Sequence, residues 1–361
     1  KGVSATGGAN TISNSGTITT DGSRGSDAIA AREGSNTIIN NGAISTQGNS
    51  SRGIFASGNQ NTITNTGAIT TVNSAGIRTN LGNQNIIVNS GAITTSGPGS
   101  LGILATGNSN NISNSGSITT TGVADGATSA DGIYSDGNSN TVTNSGSVIS
   151  YFGKAIAFSG SGNILNLANS SFLGGVIDLG TGTQINIATA ANYSKLINYT
   201  GTLSGSITAS GSVPAFINTS TNQVATYDPT IFSASSDALG DMTSTISSLT
   251  PTRFNGSDKD HPLWVRGFGM ASSYEGTDAT LDRSYNYSGV AIGYDFKRSK
   301  DLSLGVLGGY GQSSLWANAE STQSFNTSSD DGFLGFYGQK RWKNVAVDFA
   351  LYGGLQSFQQ Q

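Results

Sequence analysis

The amino-acid sequence predicts an all-β chain in which a right-handed parallel β-helix, or solenoid, precedes a linker α-helix and the antiparallel strands of an incomplete transmembrane β-barrel. Three observations predict it: a recurring short motif, one stretch with helical spacing of apolar residues, and long alternating strands near the end. With 361 residues, the chain is long enough for more than one domain. The predicted domains are regular rungs in 1–155, a cap in 156–227, a helix in 228–252 and about five barrel strands in 253–361.

The first part is organised around the motif NTITNTGAITT, which begins at Asn61 and returns in five related forms. The glycines of successive copies lie 26, 25, 24, 25 and 30 residues apart, at Gly16, Gly42, Gly67, Gly91, Gly116 and Gly146. Self-similarity at such a period indicates a solenoid. Each period holds short stretches rich in Thr, Ser and Ile between Gly and Asn corners, which favours strands. A leucine-rich repeat has a similar period but needs a leucine framework, which is missing.

Aliphatic residues recur in three registered columns, which favours one rung per repeat. The columns are Val3, Ile29, Ile54, Ile77, Ile103 and Ile133; Ile12, Ile38, Ile63, Ile87, Ile112 and Val142; and Ile18, Ile44, Ile69, Ile93, Ile118 and Val148. We expect each column to stack inside the coil with rungs about 4.8 Å apart.

Asparagines flank the second column on both sides, in the pairs Asn10/Asn14, Asn61/Asn65 and Asn140/Asn144. Residues two apart in a strand share a face, so these side chains are expected to point inward near the corners. There they can bond to their own backbone and to the next rung. A ligand-binding role for these asparagines is the alternative.

The motif degrades after Ala155, although strand-like stretches between glycine turns continue. Terminal repeats of a solenoid differ from the others because they cap an open sheet edge, so residues 156–227 are interpreted as a C-terminal cap. A connecting loop lengthens at Thr119–Asp131. Such an insert is either a binding face or a tolerated surface loop, and we favour the loop.

One helix is predicted within residues 228–252. Asp228 and Pro229 suit its N-cap and first position, and Pro251 stops it. Spacings of 7, 3, 4 and 3 are helical for the apolar residues Phe232, Leu239, Met242, Ile246 and Leu249. The other face is small and polar, which predicts a slim helix of roughly 30 Å, close to the thickness of a membrane core. An ordinary amphipathic linker helix is the alternative.

Long alternating stretches follow a polar linker, Asn255–Asp260. Apolar residues alternate with small or polar ones in 289–296, 302–311 and 345–352, which is typical of transmembrane β-barrels. Interfacial girdle positions are predicted for Tyr294, Phe296, Tyr310 and Trp342. A soluble antiparallel sheet also alternates, but strands of about 10–17 residues are long for it.

Several segments of the second half resemble one family. Residues 224–249 resemble the linker helix of bacterial autotransporters of type V secretion, and His261–Gly269 resembles the opening strand of their translocator. Ser288–Asp295 and Leu304–Tyr310 look like its second and third strands. The resemblance covers the whole chain in layout and 225–361 by motif.

What this resemblance implies is a C-terminal barrel in the outer membrane that exports a β-helical passenger to the cell surface, with the linker helix inside the barrel. The partners it implies are outer-membrane lipid, the barrel-assembly machinery and the Sec translocon. Family barrels have twelve strands and end in an aromatic residue, whereas about five strands precede Gln361, and Lys1 is not a start residue. We therefore expect a fragment truncated at both ends.

Composition narrows the function classes. A net charge of −4 without a basic cluster makes nucleic acid an unexpected partner. The absence of cysteine excludes metal sites and thiol nucleophiles built on Cys. Autotransporter passengers can be Ser-His-Asp hydrolases, but the single histidine, His261, lies at the barrel entrance and cannot serve as base for a passenger site.

Charges in the predicted passenger are sparse: Asp21, Arg24, Asp27, Arg32, Glu33, Arg52, Arg78, Asp125, Asp131, Asp136 and Lys154. The three arginines Arg32, Arg52 and Arg78 lie on successive rungs but not in one column. We interpret these charges as solvated loop residues, and we predict no catalytic, cofactor-binding or metal site.

Two function hypotheses follow. The first is a non-enzymatic passenger with an adhesive or structural role, whose Ser/Thr/Asn face binds glycans, a host or matrix receptor, or identical chains. The second is a carbohydrate-active β-helix enzyme with its clustered acids upstream of Lys1.

Overall fold

A computed structural model describes residues 2–22, 25–125, 129–190, 193–228, 230–250, 261–277, 280–299, 301–318, 325–343 and 345–360. The expectations for Arg24, Pro229, Pro251 and Asn255–Asp260 lie outside these residues. The chain forms two compact units, Lys1–Tyr227 and Asp228–Gln361.

The first unit is a β-solenoid in which successive turns add short strands to three sheets. The strands of its regular part are β1 (Val3–Ala5), β2 (Thr11–Asn14), β3 (Ile18–Thr20), β4 (Ile29–Ala31), β5 (Thr37–Asn40), β6 (Ile44–Thr46), β7 (Ile54–Ser57), β8 (Thr62–Asn65), β9 (Ile69–Val72), β10 (Ile77–Asn80), β11 (Ile86–Asn89), β12 (Ala92–Ser96), β13 (Ile103–Thr106), β14 (Asn111–Asn114), β15 (Ser117–Thr120), β16 (Ile133–Asp136), β17 (Thr141–Asn144) and β18 (Ser147–Ser150). In this part each strand pairs in parallel with the strand three positions later in the chain.

The registers confirm the three predicted columns. In the first sheet Ile77 lies opposite Ile54 and Ile103. The second and third columns pair in the same way, from Ile12 to Val142 and from Ile18 to Val148. The side chains of the three columns pack into a continuous apolar core, except for Val3, which is 46% exposed on the first rung. Burial of these aliphatic groups is the main force that holds the coil together.

The inward asparagines form the expected ladders. Asn65 is fully buried, and its Nδ2 donates to Oδ1 of Asn89 on the next rung at 2.7 Å and to the Gly67 carbonyl at 2.9 Å. The backbone N–H of Asn61 donates to Oδ1 of Asn85 at 2.8 Å. These bonds satisfy amides that would otherwise be costly to bury. The predicted inward orientation and rung-to-rung bonding of the asparagines are thus confirmed.

The repeated corner glycine is required by close backbone approach. A Cβ placed on Gly67 would lie 1.9 Å from the carbonyl oxygen of Gly42 on the preceding rung. No side chain can be accommodated at that distance without moving the backbone. The glycine therefore recurs at this position because neighbouring rungs touch there.

The ladders continue beyond Ala155. The later strands are β19 (Ile156–Ser159), β20 (Ile164–Leu167), β21 (Phe172–Gly174), β22 (Ile177–Asp178), β23 (Gln184–Thr189), β24 (Lys195–Thr200), β25 (Ile207–Gly211), β26 (Ala215–Asn218) and β27 (Gln223–Thr226). Ile156 lies opposite Ile133, and Ile185 lies opposite Leu165. The first sheet then ends on antiparallel pairs, because β27 runs against both β24 and β26. The capping role of residues 156–227, and the boundary before them, stay predictions.

The second unit contains one described helix and a five-stranded antiparallel sheet. Its elements are α1 (Thr230–Ser248), β28 (Leu263–Tyr274), β29 (Asp282–Arg298), β30 (Leu302–Asn318), β31 (Phe325–Trp342) and β32 (Val345–Gln360). The strands are 12 to 18 residues long and pair in chain order. A solenoid, a helix and then antiparallel strands confirm the predicted fold class. Among the described residues, no helix combines the length and the apolar character that a membrane crossing needs.

Candidate functional site

One face of the β28–β32 sheet presents apolar side chains to its surroundings. In β29 the predicted alternation is present: Ile292 is 50% exposed, whereas its neighbour Ala291 is fully buried. Leu334, Leu351 and Leu355 extend the exposed face across β31 and β32. Contiguous exposed aliphatic residues are rare on proteins that meet only water, so this face is a candidate contact surface.

Aromatic residues differ between the two faces. All four predicted girdle residues, Tyr294, Phe296, Tyr310 and Trp342, are exposed, as girdle positions require. Trp264 is buried instead, and its Nε1 donates to the hydroxyl of Tyr337 at 2.7 Å. The assignment of the exposed aromatics to membrane interfaces stays a prediction.

Helix α1 packs on the opposite face of the sheet. Ile246 and Leu249 are buried in a cluster with aromatic residues of the strands. The hydroxyl of Tyr352 donates to the carbonyl of Thr243 at 2.6 Å, which ties β32 to the helix. Leu239 departs from the predicted apolar stripe because it is 50% exposed. Placement of the helix in a barrel lumen stays a prediction.

Charged residues of the solenoid are less solvated than the sequence predicted. Nε and Nη2 of Arg52 donate to Asp27 at 2.7 and 2.8 Å, and the Asp27 carboxylate is buried. The guanidinium also lies 3.9 Å from the ring centroid of Phe55. Arg78 is half-buried, and burial together with the nearby Arg52 charge lowers its pKa. The solvated-charge interpretation is therefore wrong for Asp27, Arg52 and Arg78, and also for Asp131, which is buried.

The physical reason is that side chains of the loops just before the strands pack on outward residues of the first sheet, Arg52 over Phe55 and Leu101 against Leu104. These loop positions form a column in which backbone N–H groups of the preceding rung donate to the carbonyls of Arg52, Ala75, Leu101, Asp131 and Lys154. The Arg52 backbone N–H donates to Oδ1 of Asp27. Asp131 is buried in this column and accepts from the Lys154 backbone N–H at 2.7 Å. Burial raises the pKa of Asp131. As predicted, Arg78 is in a different column, opposite Phe55 and Leu104.

Sequence reasoning did not single out Lys195. Its Nζ donates to the Ala168 carbonyl at 2.7 Å and to Oγ of Ser171 at 3.0 Å, and burial lowers its pKa to about 8. The Ser171 hydroxyl itself donates to Ala168 at 2.7 Å, so the lysine holds a turn. No repeat or motif marks this position, because it follows the last regular rung.

Other candidate chemistry is limited in the part of the chain that the structure describes. No group of three or more His, Cys, Asp or Glu side chains there is arranged to hold a metal ion. His261 is exposed and lies just before β28.

The geometry defines a class of protein: a β-solenoid followed by a helix and a sheet whose exposed face is apolar. Comparison with known families gives a more specific assignment, because residues 263–361 match the family model described as Autotransporter beta-domain. No curated protein and no solved structure matches the chain. The match assigns an autotransporter β-domain to residues 263–361, and the β-solenoid that precedes it fits the passenger of an autotransporter.

Proposed function

We propose that the β28–β32 sheet lies in the outer membrane and exports the solenoid to the cell surface, where the solenoid has an adhesive or structural role. The observation that carries the proposal is the exposed apolar face of the sheet within the matched β-domain. Lipid would cover the side chains of Ile292, Leu351 and Leu355, whose exposure to water would be unfavourable. Outer-membrane lipid, the barrel-assembly machinery and the Sec translocon are the proposed partners.

An adhesive or self-associating role is supported by the outer face of the third sheet. Ser45, Thr70, Thr94 and Thr119 lie in one register column, and Thr70 and Thr94 are exposed. Their hydroxyl groups can donate and accept hydrogen bonds at the regular spacing of the rungs. Such a ladder suits glycans, a matrix receptor or a second copy of the same solenoid.

A carbohydrate-active enzyme with its clustered acids upstream of Lys1 is the competing hypothesis. A glycoside hydrolase would need two carboxyl groups across one substrate cleft. In the described solenoid, Asp27 is occupied by Arg52, and Asp131 accepts from Ser129 and Lys154. We therefore propose a non-enzymatic passenger.

Export is tested with the complete reading frame expressed in a Gram-negative host and protease added to intact cells. We expect cleavage of the solenoid outside the cell, and retention in the periplasm when residues 263–361 are deleted. Display that survives this deletion would contradict the role proposed for the β-domain.

Adhesion is tested on the same cells. We expect them to aggregate or to bind glycan-coated or matrix-coated beads, and a double Thr70→Val, Thr94→Val variant should do so less. Displayed solenoid that causes no binding and no aggregation would contradict the adhesive role.

A further inference from the structure

We propose that a cleft on the outer side of the first sheet binds the carboxylate of an acidic sugar, such as a uronic acid unit of a polysaccharide, through Arg78. This inference rests on the proposed adhesive role and names its ligand class. The cleft has a volume of about 260 Å³. Pockets for drug-sized ligands run from roughly 300 to 1,000 Å³, so this one suits a single sugar ring of a longer chain.

Arg78 supplies a cation that makes no ion pair in the described part of the chain, although the nearby charge of Asp27 partly stabilises it. Its Nη2 donates to Oδ1 of Asn80 at 2.9 Å, but its buried Nε has no hydrogen-bond partner among the described residues. The neighbouring Arg52 is already neutralised by Asp27 in a two-point ion pair. A planar guanidinium matches a carboxylate, which can accept two parallel hydrogen bonds from it.

Charge favours an anionic ligand over a neutral one. Arg52 and Arg78 both line the cleft, and burial of Arg78 is unfavourable to its charged form. A bound carboxylate would offset this cost of burying the Arg78 charge. Asp125 also lines the cleft, but it is exposed, so water and salt weaken its repulsion of an anion.

The remaining lining favours a sugar over an acidic peptide. Asn73 and Ser74 place an amide and a hydroxyl beside the arginines, and ring hydroxyls need such mixed donors and acceptors. Leu101 and Leu104 also line the cleft and belong to a small apolar cluster with Ala75. The C–H face of a sugar ring can pack on this apolar surface while its carboxylate meets Arg78.

The test is calorimetric titration of the 361-residue chain, in detergent micelles, with a defined oligogalacturonate. We expect saturable binding. The Arg78→Gln variant should bind with an affinity lower by about tenfold or more, because hydrogen bonds to charged groups are strong. Arg32→Gln is the matched control: it removes the same charge on a nearby rung outside the cleft and should change Kd by less than about twofold. Asp125→Asn should tighten binding by about two- to threefold, because it removes a screened surface repulsion.

Three results would overturn the inference: no binding, equal binding of a neutral galacto-oligosaccharide, or unchanged affinity in Arg78→Gln. Equal or tighter binding of an oligoglutamate peptide would overturn the assignment to a sugar. Circular dichroism and thermal midpoints identify variants that fail to fold, and Asp125→Asn tests the cleft without altering a buried residue. If cells adhere but the purified chain binds no oligogalacturonate, this inference is refuted and the adhesive role stands. If the purified chain binds oligogalacturonate but cells do not display the solenoid, the proposed export is refuted and this inference stands.

Discussion

In both units, apolar residues alternate with small or polar ones along the strands. The apolar side is buried in the solenoid, whereas it is exposed in the β28–β32 sheet. In the solenoid Ile63 is fully buried, and its neighbour Thr64 faces outward. In the β28–β32 sheet Ile292 faces outward, and its neighbour Ala291 is buried. A period of two therefore establishes a strand but does not say which side meets solvent. The opposite polarity is what we expect if one unit is surrounded by water and the other by lipid.

The source of register also differs between the units. Each rung of the solenoid repeats the preceding one, so identical residues stack and the repeat itself fixes the pairing. The sheet of the second unit has no repeat, and its register is set by antiparallel pairing over 12 to 18 residues. Mutations should therefore act locally on a rung in the first unit and through membrane contact in the second.

The largest effect is expected for a cavity in the solenoid core. Ile63→Ala should lower the free energy of unfolding by about 2–5 kcal/mol, because the removed side chain is fully buried between rungs. Thr64→Ala, on the outward side of the same strand, should change it by less than about 0.5 kcal/mol. Urea unfolding followed by circular dichroism measures both; similar losses would contradict the inward assignment.

A charge on an outward position should distinguish the units. Ile292→Arg should destabilise the membrane-inserted form by up to about 2–4 kcal/mol, depending on its depth in the bilayer. Ile86→Arg, also outward but in the solenoid, should be nearly neutral because that side chain already meets water. The measurement is the fraction of protein recovered in urea-washed outer membranes, and equal recovery of the two variants would argue against a lipid-facing sheet.

Replacement of one buried asparagine should interrupt the asparagine ladder of the solenoid. Asn65→Ala leaves Asn89 Oδ1 and the Gly67 carbonyl without a donor, at a cost of about 1–3 kcal/mol. Asn14→Ala, at the half-buried end of the same column, should cost less. The midpoints of thermal unfolding of the two variants measure this difference. Equal shifts of the midpoint would mean that burial of the ladder does not contribute to stability.

The smallest effect is a pH dependence at Lys195. Its pKa is about 8 in the folded chain against 10.5 for the unfolded reference, so the unfolded chain binds more protons between these values. The contribution of this residue to stability therefore rises as pH rises from about 8 to 10.5. Thermal midpoints at pH 7.5 and 10 should show an increase that Lys195→Met lacks; the same increase in the variant would contradict the burial of this charge.

Much of the solenoid could be predicted because repetition reveals register. The isoleucine columns and the asparagine ladder follow from counting residues between copies. The same counting could have paired Asp27 with Arg52, which are 25 residues apart and joined across neighbouring rungs. The half-burial of Arg78 could not be predicted, because it depends on loops whose path the motif does not determine. Lys195 escaped prediction because it lies where the repeat has ended.

In the second unit, the strands and the exposure of their apolar side could be predicted from the sequence. The contacts of the helix could be predicted only in part. The burial of Ile246 and Leu249 follows the helical spacing, but Leu239 is exposed despite it. Hydrogen bonds such as that from Tyr352 to Thr243 join residues 109 apart and leave no local pattern in the sequence.

The most direct test of opposite surroundings uses the absence of cysteine in this chain. Thr70→Cys on the outer face of the solenoid and Ile292→Cys on the outer face of the sheet are each introduced into the complete reading frame. Intact cells are then treated with a membrane-impermeant maleimide. The account predicts rapid labelling at position 70 and protection at position 292. It would be contradicted by labelling at position 292 that is as fast as at position 70, or by a position 70 that is labelled only after the cells are broken.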